Sequence, residues 1–458
     1  MALKHMSSHE ELKPRPWNPS DGPLCFVSHQ WTARDAPDHT GQQLAVLQHT
    51  LAHIHDLMTD PTCNLAHAKP PIAPEDYSRL YVWLDYWSVP QSDGRASERC
   101  SAIAAIPYYA SNAAFMIILS PQVVHRTTGK LCDEQSWRSR GWCRLERLAF
   151  CLSRFSVMEP PRAYVVDAPS GYSRLANITI GSSKHSVFNG EFTYEADRER
   201  LVPVVRKVVQ CACAAREKQE DLSSWRKLVA LKNSFFSGSD EWESVAAAPP
   251  SVSAYLSKFA FTSVSERGTH QMTCLHYAAF ENNAAAVRML IEAGAEVDAR
   301  DTEAFPSGGG CTPLWFAVLH GCIEAAEALL QLRADVNCSA SASVPAPLLL
   351  VGGYAPVAEA ERCLALMLGY GLDVHSTQCW DINEGQYESS VARLHGSTLL
   401  GAAVYGGTAA LVKMLLEAHA DPLCLQEVAG GGRRTALDIA RDEGRPDILA
   451  LLVPQVPT

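Results

Sequence analysis

The sequence lacks the short motifs that announce most nucleotide and hydrolase chemistry: it has no P-loop, no G-x-G-x-x-G after a strand and no G-x-S-x-G. Metal-ligand spacing is missing as well. The one tight cysteine cluster, at 211 and 213, has no C-x-x-C pair or H-x-x-x-H in sequence to complete a zinc site. Cys25 and His29 lie too close together, at a strand end, to argue for a thiol dyad, and "VAGGGRRTAL" reads as a flexible turn and not as a phosphate cradle. Charged residues make up only 19% of the chain and leave a net charge of −11, which argues against a nucleic-acid backbone as partner. The first twenty residues have no apolar core region, so neither a signal peptide nor an anchor is expected. The uncharged run from Ser101 to Val124 is long enough for a membrane span, yet Pro107, Ser111, Asn112 and Ser120 break it. It predicts a short helix from about Pro107 and then a buried strand, "FMIILS", with no span.

What is present is a globular composition, 47% hydrophobic, in a chain of 458 residues, enough for about three domains. Most of the fifteen cysteines sit in apolar segments, as Cys274, Cys322 and Cys363 do, and read as small core residues in a reducing compartment, which points to the cytoplasm. The C-terminal half repeats itself. Segments starting at Thr273, Thr312, Ser397 and Thr435 share a T-x-L opening or its remnant, two short helices and a Gly-Ala-Asp style turn, and a degenerate copy starts at Pro347. Leu275, Leu314, Leu348, Leu399 and Leu437 fall 39, 34, 51 and 38 residues apart. The pattern resembles the ankyrin repeat over about residues 268–455, whose period is about 33. One helix pair cannot bury its own apolar face, so an all-α solenoid of about five stacked pairs is expected, with the surplus residues bulging out as loops. The resemblance implies a protein partner.

Residues 1–20 read as disordered. Between 21 and 166, apolar strands "LCFVS", "LYVWLD", "FMIILS" and "RAYVV" alternate with helical patterns, including Gln42 to about Met58 and the 140s, which predicts a doubly wound parallel α/β sheet. In 167–250, "SVFNGEFTY" reads as a hairpin turning at Asn189 and Gly190, with helices to follow from about Ala196 to Glu217 and near Trp225; "SVAAAPPSVS" reads as a linker.

In such a sheet ligands bind beyond the C-terminal ends of the strands. Ser28, His29 and Trp31 follow the first strand there, Asp85, Trp87 and Ser88 the second, Ser120 ends the third, and Glu146 lies early in the next helix. On that helix Trp142, Leu145, Leu148, Ala149, Leu152 and Phe155 form an apolar stripe, Arg140, Arg147 and Arg154 gather opposite, and Glu146 falls at the stripe's edge. No basic residue lies three or four positions from it.

"FVSHQW", "AIPYYASNAAFMIILSP" and "SRGWCRLERL" together are similar to the Toll/interleukin receptor (TIR) domain over about residues 22–165, the Trp-Cys-x-x-Glu spacing being the most specific element. The resemblance implies a flavodoxin-like fold and one of two functions: association into signalling complexes, or hydrolysis of NAD, taken as substrate and not as a resident cofactor. For the second it implies Glu146 as the catalytic residue; Ser28, His29, Trp31, Asp85, Trp87, Ser120 and Trp142 are expected to line the ligand site with it. Self-association is implied in either case. The segments after the first helix and after the third strand are long for the family, and "SHQW" departs from what many members carry.

Overall fold

In the computed structural model the described residues are 6, 8–12, 17–59, 72–153, 162–168, 171–174, 186–240, 251–302, 310–338, 346–354, 357–375, 396–427 and 432–453. They form two compact units. The first takes residues 1–215 and 235–242, the second 216–234 and 243–458.

In the first unit, after a one-turn helix α1 (His9–Leu12), the chain builds β1 (Leu24–His29), α2 (Gln42–Ala52), α3 (Ile54–Thr59), β2 (Tyr81–Leu84) and α4 (Asp85–Ser88). There follow α5 (Ala96–Ala104), α6 (Ile106–Asn112), β3 (Phe115–Leu119), a two-stranded ribbon β4 (Val123–Val124) with β5 (Leu131–Cys132), α7 (Glu134–Ser139) and α8 (Gly141–Ser153). Strands β6 (Ala163–Ala168) and β7 (Gly171–Arg174) complete the sheet, and α9 (Ala196–Lys218) starts in this unit. The sheet order is β2-β1-β3-β6-β7; the first four strands run parallel and β7 pairs antiparallel. Every residue of β1 and β3 is buried, which is why β3 reads as an unbroken apolar run and β1 as one up to Ser28.

Strand alternation sorts the two faces. Cys25, Val27, Phe115, Ile117, Leu119, Tyr164 and Val166 make a core with Leu44 and Leu47 of α2. Phe26 and Ser28 point the other way, where α6 and α8 pack together and on β1; there Phe26 stacks on Trp83 with centroids 4.5 Å apart. The chain leaves β1 toward β2 and returns across it to β3, so the winding reverses between β1 and β3.

Several expectations change. Among residues 1–20 the described ones carry structure: α1 forms, and Met6 and Trp17 are buried. The helix expected from Gln42 to Met58 breaks at His53 into two. Pro107 occupies the first turn of α6, as its fixed φ favours, but α5 precedes it. No hairpin forms at "SVFNGEFTY": Val187–Asn189 is a 3₁₀ turn, and Glu191 makes a single parallel bridge to Arg140. Arg147 is buried and not on a wet face, while Arg154 and Phe155 lie outside the described residues.

The second unit is a row of helix pairs: α10 (Leu222–Leu231) with α11 (Val252–Lys258), α12 (Cys274–Phe280) with α13 (Ala284–Glu292), and α14 (Pro313–Leu319) with α15 (Ile323–Gln331). Then come α16 (Ala346–Leu349) with α17 (Val357–Gly369), α18 (Leu399–Gly406) with α19 (Ala409–Glu417), and α20 (Ala436–Asp442) with α21 (Pro446–Leu452). First helices pack on first helices and second on second along the row, including α10 on α12 and α11 on α13. The stack therefore begins before residue 268, with a pair that lacks the T-x-L opening. Ser251, expected in a linker, caps α11, and residues 241–250 lie outside the described residues. Buried Arg226 of α10 ties this first pair together, donating to the carbonyls of Phe259 and Ala260 and covering the ring of Phe261. No described helix is long and apolar enough to cross a membrane.

Threonines cap the repeats. Thr273 and His276 form a reciprocal box, and Thr312, Thr398 and Thr435 each accept a backbone N–H three residues on. In the fourth repeat the capping residue is Thr398, so the register lies one residue beyond the Ser397 expectation. Gly401 then stands where His276 stands in the first repeat. Having no side chain, it leaves room for Gln426, whose Oε1 takes the Thr398 N–H at 2.7 Å and its hydroxyl at 3.0 Å. In the third copy, Leu350–Tyr354 winds as a π-helical turn through Gly352 and Gly353. The insertions at 303–309 and 376–395 lie outside the described residues.

Candidate functional site

The last two residues of β1 start two polar chains, one on each side of the sheet, because successive strand side chains alternate. Ser28 points toward α7 and α8. Its hydroxyl accepts from Trp137 Nε1 at 2.8 Å and donates to Glu146 Oε2 at 2.5 Å. Glu146 is 7% exposed, and its second oxygen has no hydrogen-bond partner among the described residues. Burial pushes this carboxyl up to about 8, against the opposing pull of the Ser28 hydrogen bond. It is mostly protonated at neutral pH. Ser120 lies on the same face by alternation from β3; its hydroxyl is buried and without a partner among the described residues.

His29 points to the other face. Its Nδ1 meets Gln43 Oε1 at 2.8 Å and its Nε2 meets Asp85 Oδ1 at 2.7 Å. Gln43 Nε2 donates to the Gln30 carbonyl at 2.9 Å, which turns the amide oxygen to the ring. With acceptors at both nitrogens, the ring holds both protons. Burial opposes that charge; the Asp85 carboxylate and the Gln43 oxygen outweigh it, and the His29 pKa rises above 6.5. Asp85 is lowered although burial opposes this, because His29, Trp31 Nε1 at 2.9 Å and the Tyr86 N–H at 2.5 Å all favour the carboxylate. The His29 side chain is 1% exposed and that of Asp85 29%, so the arrangement opens at Asp85. Trp31 meets Tyr86 edge-on at 5.6 Å.

Ser28, His29, Trp31, Asp85 and Glu146 are thus brought to one sheet edge where the winding reverses. Trp87 packs partly buried against the core, its indole N–H without a partner among the described residues. Trp142 does not join them: its Nε1 donates to Asp197 of α9 at 3.2 Å. Sequence reasoning passed over Gln43 and Trp137. Trp137 had a readable signal, since the Asp133/Ser136 capping box fixes the start of α7 and hence which way its indole faces. Gln43 carried none, because its role depends on α2 crossing beside β1. Cys143 completes the site's underside, its Sγ 3.7 Å from the His29 carbonyl. Among the described residues no group of three His, Cys, Asp or Glu side chains is placed to hold a metal ion.

Residues 250–340 match the family model for ankyrin repeats (three copies), beginning ahead of residue 268 as the helix stacking does. No curated protein matches the chain. Ankyrin repeats in this region suggest protein–protein interaction. The match does not touch the first unit.

Proposed function

We propose that the ankyrin stack recognises a protein partner and that the first unit is a TIR-like domain that hydrolyses NAD to nicotinamide and ADP-ribose, with Glu146 as the catalytic residue. One observation carries this: a buried carboxyl, bonded among the described residues through one oxygen only, sits where the winding of a parallel sheet reverses, the usual ligand position of such folds. Breaking the nicotinamide–ribose bond sends the bonding pair to the pyridine nitrogen and leaves an oxocarbenium-like ribose. Water then bonds to that carbon and loses a proton. A carboxylate against the ribose stabilises the cation most where water is excluded. Glu146 is neutral in the free protein, and a cationic nicotinamide riboside beside it favours its ionised form. Thirteen free cysteines among the described residues fit a reducing, cytoplasmic setting.

A second reading rests on Ser28, Trp137 and Glu146 knitting β1, α7 and α8 together. In that reading Glu146 is structural and the domain serves only association. Nicotinamide release from NAD by the full chain at high protein concentration separates the two. Glu146→Gln keeps the shape and lowers the rate about 100-fold or more if the charge is catalytic. Equal turnover by the variant, or none by either protein in any assembled state, leaves the association reading. Asp85→Asn and His29→Ala are expected to weaken turnover as well, since their ion pair lines the open side.

A further inference from the structure

Ahead of β1, in a stretch expected to be without structure, Met6 and α1 lie beside the open side of this site. Helix α1 packs on α4, the turn that begins with Asp85. Met6 is buried in the core against which Tyr86 and Trp87 pack. The Glu10 carboxylate accepts the backbone N–H of Gln91 at 2.8 Å and of Ser92 at 3.0 Å, two donors of the loop that follows α4. His9 Nδ1 lies 3.4 Å from Arg95, which also pairs with Glu98. Within the segment, Ser8 and Glu11 close a reciprocal cap, Ser8 N donating to Glu11 Oε2 at 2.7 Å and Glu11 N to Ser8 Oγ at 3.3 Å.

We propose that Met6 and residues 8–12 act as an autoinhibitory strap that closes the Asp85 side of the crevice, with Glu10 as its latch. The inference rests on the crevice being the ligand site named above. Three physical features support it. A single helical turn is far below the length at which a helix holds by itself, so α1 is ordered only while docked. Among the described residues its hold includes one buried methionine and polar bonds that are part-buried or exposed, with no core of its own, which places it among the first parts of the unit to open. And the docked strap sets Glu10 and Glu11 against the aromatic side of the site: burial, and then these two charges, raise the Tyr86 hydroxyl above its ordinary range. Two carboxylates there repel a dinucleotide's phosphates beside the rings on which its bases would stack. A strap open ~10% of the time weakens apparent affinity about tenfold, and its release restores that factor.

Glu10→Gln weakens the latch without touching the residues of the site, and Met6→Ser removes the apolar anchor. Two measurements on the full chain test the strap. Hydroxyl-radical footprinting should show Tyr86 and Trp87 oxidised several-fold faster in both variants, with amide exchange at Gln91 and Ser92 accelerated. NAD binding by calorimetry should tighten up to about tenfold. Unchanged footprints and exchange in both variants overturn the strap, and so does deprotection accompanied by unchanged or weaker NAD affinity. If footprints and affinity change as expected while no nicotinamide is released with or without the latch, the strap stands and the hydrolysis reading falls. If the footprints change and neither form binds NAD, the segment covers the crevice but NAD is not its ligand, which overturns the proposal as stated.

Discussion

Glu146 illustrates how one residue's surroundings set its chemistry. Three and four positions along its own helix there is nothing to pair with it, and the fold supplies Ser28 from a strand more than a hundred residues earlier. The carboxyl's rise from 4.5 to about 8 has a consequence for stability. Between those values the folded protein keeps a proton that the unfolded chain has lost. The stability this contributes is fully present below about pH 4.5 and is lost as pH rises through about 8. Glu146→Gln cannot ionise and escapes that loss. Thermal melts should show wild type and variant close at pH 5 and the variant more stable above pH 8, by up to a few kcal/mol. A variant that loses stability with pH as steeply as wild type would show that the carboxyl is not held neutral.

At the scale of the element, capping decides where each repeat begins. The T-x-L spacing showed that the repeats exist, but in the fourth copy the register turned on Gly401, whose missing side chain admits Gln426 from the following turn. Gly401→Ala places a methyl group on the Gln426 amide, and the buried Thr398 N–H loses its acceptor. The expected loss is about 1–3 kcal/mol, read as a lower denaturation midpoint. Gly401→Ala combined with Gln426→Ala should cost little more than Gly401→Ala alone, because both remove the same bond. Strictly additive losses would contradict the cap.

At the scale of the molecule, the two units answer acid differently. In the second, burial holds His276 and His320 at about 4. His276 Nδ1 accepts the Thr273 N–H at 3.0 Å and so cannot carry a proton without breaking the cap. Groups lowered in this way contribute stability that is complete above pH 6.5 and is lost as pH falls through about 4. His29 in the first unit has the opposite sign: its contribution is complete below pH 6.5 and lost above its raised folded value. Unfolding of the stack, followed by amide exchange in its own helices, should show a midpoint falling between pH 6.5 and 4. His276→Gln should flatten that fall, and an unchanged pH profile in the variant would exclude the buried ring as its cause.

The sequence by itself determined the four parallel strands and the repeated helix pairs, because buried strands and stacked helix pairs are written in apolar periodicity and in local caps. It also placed Ser28, His29, Asp85 and Glu146 at the ends of their elements. Only the tertiary structure decided which of these meet. Ser28 and His29 are neighbours in sequence and serve opposite faces of the sheet. Trp137 and Gln43 join the site through the crossing of α7 and α2, while Trp142, inside the most recognisable motif, turns instead to Asp197. The docking of Met6 and α1 was illegible for the same reason: a one-turn helix has no periodicity of its own, and its order comes from surfaces that exist only once β2 and the following loop have folded.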